Sequence, residues 1–255
     1  MSNWSAQDGP RILAARQAWL ASPQGQYVLE AETRWFAQAQ ETLFGWTALQ
    51  LGLSDINLLS TSRMRDRYLV EPSDRANLQA TPAHLPFASA SVDLLLLPHT
   101  LDFSPDPHQV LREAERVLIP EGHLLLSGFN PYSLWGAWRA LQGRQGEPWR
   151  SNFIGLPRLK DWLSLLNLEP TTSAMALYRP PVCSEKWLDK YHFMEAAGNR
   201  WWPAAAAVYF VHVTKHRRGL RMVGLMDARK AALASSPVIA VPDTPTHLSS
   251  DNRYD

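Results

Sequence analysis

Ser91-Val-Asp-Leu-Leu-Leu-Leu-Pro98, then Ser104-Pro-Asp-Pro107, then His123-Leu-Leu-Leu-Ser127 is the stretch that decides the fold. The first run is short, continuously apolar and closed by proline, the pattern of a strand buried on both faces. Ser104 to Pro107 opens a helix whose apolar stripe is Val110, Leu111, Ala114, Val117 and Leu118, and Pro120-Glu-Gly122 stops it. The third run is a second buried strand. Residues 91 to 128 therefore predict a strand–helix–strand unit long enough for a right-handed parallel crossover.

The same pattern extends outward in both directions. Trp46-Thr-Ala-Leu-Gln-Leu51, closed by Gly52, reads as another buried strand. Between Leu53 and Leu78 the spacing predicts a short helix over 56–65, a short strand over 68–70 and another near Leu78. Upstream, Asp8 and Pro10 start a helix with Ile12, Leu13, Trp19 and Leu20 on one face, and Ser22-Pro-Gln-Gly25 breaks it. A second helix is predicted over 26–44, with Val28, Leu29, Trp35, Phe36, Ala39 and Leu43 at helical spacing. Downstream, 130–152 is an excursion rich in Trp, Gly and Arg. A helix follows from Pro157, then candidate strands over 168–178 and 205–215 flanking a mostly helical stretch over 183–199. The implied organisation is a pair of N-terminal helices (1–45) packing on an α/β core (46–216) with an inserted lid at about 130–152, and a flexible tail over 233–255. Alternating strands and helices predict a Rossmann-like, mostly parallel sheet with helices on both faces. In such sheets ligands sit at the carboxyl ends of the strands, near the topological switch point. The positions of interest are thus Gly52, Glu71, Thr81, Pro98, His99, Gly128 and Asn130.

Composition narrows the function. Of 255 residues, 45% are apolar and 19% charged, so the chain has ample core. A formal net charge of +1 disfavours a nucleic-acid partner. The basic cluster Lys215-His-Arg-Arg218 with Arg221, Arg229 and Lys230 reads mainly as solvated surface. Cys183 is the only cysteine, which excludes an internal disulfide and a multi-cysteine metal site. His84, His99 and His108 show no metal-ligand spacing, so no metal is expected. No apolar run is long enough for a bilayer span and no secretory signal is apparent, so a cytoplasmic protein is expected. The 11 Trp suggest flat surfaces along a groove or interface, or else ordinary helix packing.

Leu85-Pro-Phe-Ala-Ser-Ala-Ser-Val-Asp93, the apolar strand, His99-Thr-Leu101, Asp106-Pro-His-Gln-Val-Leu-Arg-Glu113 and Arg116-Val-Leu-Ile-Pro-Glu-Gly122 together resemble the class I S-adenosylmethionine (SAM)-dependent methyltransferases. The subtype is the small-molecule group called type 11. His99-Thr-Leu and Ser127-Gly-Phe-Asn-Pro-Tyr-Ser-Leu-Trp-Gly136 are similar to its YafS-like branch. The resemblance implies a seven-stranded sheet with the last two strands antiparallel. It also implies SAM as cofactor and a small or medium methyl acceptor, with O- or N-methylation favoured. By resemblance the cofactor site comprises Gln50, Gly52, Glu71, Thr81, Pro82, Leu85, Pro98 and His99. Of the family's glycine-rich turn only Gly52 is kept, with Ser54 at the next glycine and Gln50 at the acidic position. Glu71, 19 residues past Gly52, stands near the offset expected of a ribose carboxylate. Only nine residues separate Glu71 from Thr81, too few for a full helical crossover.

Methyl transfer needs alignment more than acid–base chemistry, because the sulfonium is already activated. A base helps when the acceptor carries a proton, and His99 after the central strand is the candidate. The plainer alternative is a histidine that ties the neighbouring loop, with Asp102 orienting it or opening that loop. Asn130, Tyr132 and Trp135 follow the next strand and are candidate acceptor contacts. Beside the enzyme reading stands a catalytically silent methyltransferase-like binding module, favoured by the reduced glycine turn.

Overall fold

The computed structural model describes residues 8–142, 148–181 and 193–216. Two helices come first, α1 (Asp8–Leu20) and α2 (Pro23–Gln40). Between them Ser22 caps α2, accepting from the Gly25 amide at 3.2 Å, and Pro23 sits where no amide is needed. Every fourth residue of α2 is buried: Gln24, Val28, Glu32, Phe36 and Gln40. Trp35 stacks on Phe210 at 4.9 Å, fixing this face against the sheet.

The sheet has six strands among the described residues, in the order β2 (Arg63–Val70), β1 (Phe44–Leu51), β3 (Val92–Leu97), β4 (Leu118–Phe129), β6 (Val208–Lys215) and β5 (Leu168–Ala176). β2, β1, β3 and β4 are parallel, and β6 runs antiparallel to both β4 and β5. The remaining helices are α3 (Thr100–Phe103), α4 (Pro107–Val117), α5 (Leu134–Gln142), α6 (Leu156–Leu165) and α7 (Phe193–Trp201). Asp106 caps α4 by accepting from the Gln109 amide. Its stripe Val110, Leu111, Ala114 and Val117 is fully buried against Leu95, Leu97, Leu124 and Leu126. Leu94, Leu96 and Leu125 face the opposite layer, where Phe36 and Leu59 cover them. The two-sided burial explains the unbroken leucine runs.

Three details differ from the sequence reading. The expected seventh strand near Leu78 is reduced to a single bridge between Leu78 and Val70, and no helix stands between residues 71 and 91. The helix expected over 56–65 is absent: β2 begins at Arg63, and its alternation is hidden because Arg65, Asp66 and Arg67 are exposed on an outer strand that needs only one partner. Finally α2 stops at Gln40, because Phe44 and Gly45 pair with Arg63 and Met64 in the β1–β2 ladder. The helix expected over 183–199 is described only as α7, and its earlier part, the 233–255 tail and the basic residues beyond His216 lie outside the described residues. Lys215 is held on Glu115 and the Leu118 carbonyl, and His216 on Glu169 at 2.7 Å.

Candidate functional site

The chain leaves β1 for β2 on one side and reaches β3 on the other. This reversal opens a crevice beyond the carboxyl ends of these strands. Gly52, Glu71 and Pro98-His99 are the residues that follow the three strands. Gly52 has φ +83°, a left-handed conformation that favours glycine, and its amide donates to the Val70 carbonyl at 2.9 Å. A Cβ there would point between Glu71, Arg16 and Thr100, each 3.7–3.8 Å away. Leu53 continues the left-handed turn at φ +52°. Gln50 is fully buried and holds this turn: Nε2 donates to the carbonyls of Gly52, Leu53 and Ile56, and Oε1 accepts from the Leu58 amide. Its amide is committed to the loop, so it shapes the crevice from behind.

Glu71 is buried and faces the turn. Its carboxylate accepts from Arg16 Nη2 of α1, from the Ser54 hydroxyl at 2.5 Å and amide at 3.3 Å, and from the Ser73 hydroxyl at 3.4 Å. Burial alone would raise its pKa, but the Arg16 charge and the Ser54 hydrogen bonds outweigh that and hold the carboxyl below the ordinary glutamate value. Arg16 lies 5.6 Å over the Phe103 ring. Thr100 closes the floor by donating from its hydroxyl to the Leu51 carbonyl.

His99 is the second centre, 2% exposed and left-handed at φ +49°. A non-glycine residue in that region is uncommon and marks a position the surroundings hold in place. The Ser127 hydroxyl accepts from its amide at 3.0 Å, and Phe129 stacks on its ring at 4.0 Å. Nδ1 lies 2.7 Å from Asp102 Oδ2, which also accepts from the Phe129 amide at 2.9 Å. Nε2 makes no hydrogen bond and stands 3.4 Å from Glu32 Oε1. That carboxyl in turn accepts from the Ser127 hydroxyl, while its Oε2 has no partner. Burial would lower the His99 pKa, yet Glu32 and Asp102 together outweigh it and raise the imidazole above its usual value. Burial raises the Glu32 carboxyl. The arrangement is a histidine between two buried carboxyl groups, able to keep or pass a proton.

The other expected site residues separate into two groups. Pro98 is buried beside His99. Thr81 is exposed, accepting from the His84 amide at its carbonyl, and Pro82 is half-buried. Leu85 is a core residue whose backbone is pinned by Glu113 and Arg116 of α4. These three belong to the loop before β3. Asn130 is saturated: Nδ2 donates to the Ala204 and Ala206 carbonyls and Oδ1 accepts from the Tyr132 amide, so it ties β4 to the approach of β6. Trp135 is 1% exposed and donates Nε1–H to the Arg179 carbonyl, making it core rather than an open face. Tyr132 is exposed. Arg16, Glu32 and Ser54 were not expected as site residues. Their signal was present for two of them: Arg16 and Glu32 interrupt the apolar stripes of α1 and α2 at spacings of three and four residues. Among the described residues no group of three or more His, Cys, Asp or Glu is placed to hold a metal ion, and no helix is long and apolar enough to cross a membrane.

Comparison with known proteins bears on this crevice. Residues 47–126, from β1 through most of β4, match the family model described as a methyltransferase domain. The YafS protein of Escherichia coli K12 is 38% identical over 167 residues, which span 63% of this chain and 68% of that protein. Among solved structures, a SAM-dependent methyltransferase of Thermotoga maritima, described as a possible histamine N-methyltransferase, aligns with a TM-score of 0.58 at 18% identity. It covers 80% of this chain and 97% of its own. Geranyl diphosphate C-methyltransferase of Streptomyces coelicolor A3(2), solved with S-adenosyl-L-homocysteine, aligns with a TM-score of 0.53 at 12% identity over 73% of this chain and 76% of its own.

Proposed function

We propose, for a chain that belongs to the type 11 methyltransferases and to their YafS-like branch, that it transfers a methyl group from SAM to a small or medium acceptor through an oxygen or nitrogen atom. The observation that carries this reading is the left-handed Gly52 turn facing the buried Glu71 carboxylate across the switch point. A nucleoside needs those two features: backbone that allows close approach, and an acceptor for a ribose diol. SAM supplies an activated methyl group when bound. The protein contributes the rest. Glu71 takes the ribose hydroxyls, the turn from Gly52 to Ser54 lies against the cofactor, and Pro98 and His99 stand at the reacting end. Asp102 orients the His99 ring through Nδ1, which leaves Nε2 as the nitrogen that receives the acceptor's proton. Phe129, stacked on that ring, excludes water.

The test is calorimetric titration with SAM and with S-adenosylhomocysteine. Binding by the wild type is expected, and no binding of either at millimolar ligand would overturn the reading. Gly52→Val serves as the companion measurement. It places a branched side chain at φ +83°, costing roughly 1–2 kcal/mol of backbone strain. It also points that side chain at the ribose carboxylate. Folding should survive while S-adenosylhomocysteine binding is lost; unchanged affinity would make Gly52 an ordinary strand end. Binding that is never accompanied by methyl transfer to any acceptor is the result expected of a silent module.

A further inference from the structure

The chain itself occupies most of the acceptor positions of Glu71. A carboxylate offers about four lone-pair sites. Oε2 takes the Ser54 hydroxyl, the Ser54 amide and the Ser73 hydroxyl, while Oε1 takes Arg16 Nη2 and keeps one position. A ribose diol brings two more donors, and at least one present donor must leave to admit them. Ser54 and Ser73 sit on the turns that follow β1 and β2 and form part of the crevice wall. Arg16 does not: it reaches in from α1, and its Nη1 lies 3.7 Å from where a Gly52 Cβ would stand. Its Nε is buried without a hydrogen-bond partner. The guanidinium is therefore anchored mainly by one carboxylate, in the space between Gly52, Glu71 and Thr100.

The same helix face also reaches toward the second centre. Trp19, one turn beyond Arg16, meets Phe129 edge-on at 5.9 Å, and Phe129 is the ring that stacks on His99. With α1 in this place the ribose acceptor is occupied, while the imidazole is covered by Phe129, by Glu32 of α2 and by Asp102 and Ser127.

We propose that Arg16 is the chain's own occupant of the ribose site, and that the cofactor binds by exchange: the vicinal diol replaces the guanidinium on Glu71, and α1, which carries Arg16, loosens from the crevice. The proposal rests on the methyltransferase reading and deepens it. It makes Arg16 a determinant of cofactor affinity that acts by competition. The observed affinity is the intrinsic one reduced by the fraction of molecules with Arg16 withdrawn.

Two measurements on the full chain test it, with S-adenosylhomocysteine as the probe. In Arg16→Met the affinity should rise about tenfold or more, since the competing donor is gone while the apolar stem is kept. Introducing Glu71→Gln as well should abolish the gain. In the wild type, amide hydrogen exchange across residues 14–20 should speed up on adding the probe, the reverse of ordinary ligand protection. This second measurement needs no variant and stands even where Arg16→Met fails to fold. Weaker or unchanged affinity in Arg16→Met, or slowed exchange in α1, overturns the exchange and leaves the methyltransferase reading intact. Absence of binding in the wild type and in folded Arg16→Met overturns both.

Discussion

His99→Asn should bind S-adenosylhomocysteine as the wild type does, while methyl transfer falls roughly 10²–10⁴-fold. Asparagine keeps a similar size and still reaches Asp102, but it takes up no proton near neutrality. The pH dependence gives the sharper readout. Glu32 and Asp102 raise the His99 pKa, so the imidazolium persists above the usual value near 6.5. A base must first lose that proton. Wild-type turnover should therefore rise with pH through a value above 6.5, and His99→Asn should lack that limb. The cluster has a matching signature in stability. A histidine whose folded pKa is raised contributes stability that is complete below the unfolded pKa and is lost as pH rises through the folded one. Denaturant midpoints measured across that interval should fall in the wild type, and the part of the fall due to the imidazole should be missing from the variant, in which buried Glu32 and Asp102 still titrate. If turnover is kept in His99→Asn but cofactor binding and stability both collapse in His99→Ala, His99 ties the loop and is not the base.

Glu71→Ala carries the other large effect, and it should appear twice. Cofactor affinity should drop about ten- to a hundredfold, the value of charge-assisted hydrogen bonds worth roughly 1.5–3 kcal/mol. The ligand-free protein should also lose stability, because Arg16 is left as a buried charge with its carboxylate gone; breaking a buried pair from one side costs about 3–5 kcal/mol. The sign with pH is opposite to that of His99. The Glu71 carboxyl is held below the ordinary glutamate value, so its contribution is present above that value and disappears as pH falls through the folded pKa. Urea titrations at neutral and acidic pH should show the wild type and Glu71→Ala converging on the acid side. Cofactor affinity equal to that of the wild type would remove Glu71 from the ribose role.

Much of the architecture was legible because it rests on local periodicity. The leucine runs of β3 and β4 and the stripe of α4 have one stable packing, each run buried on both faces and the helix between them. β6 was visible for the same reason, whereas β5 is buried at Leu168 and exposed along much of its length, and the antiparallel pairing of the two was what the family resemblance implied. Of β2 only the end, 68–70, was legible, because a strand on the outside of a sheet tolerates Arg65, Asp66 and Arg67 as readily as a loop does. The missing outer strand follows from chain length alone: too few residues separate Glu71 from Thr81 to build the crossover that would support it.

The candidate site divides along the same line. The order of residues along the sequence by itself determined that Gly52, Glu71 and His99 follow three adjacent strands, since strand ends in a parallel sheet converge wherever the connections reverse. Only the tertiary structure decided what those residues meet. Arg16 and Glu32 come from helices that precede the sheet, 55 residues before Glu71 and 67 before His99 in the chain, and no local pattern specifies such contacts. Packing of the α1 and α2 faces on the sheet carries them there, because a charged side chain on a buried stripe must be delivered to an opposite charge or a polar partner. Tertiary contacts likewise commit Gln50 to its turn and Asn130 to the β6 approach, since a buried amide is stable only when its donors and acceptors are satisfied.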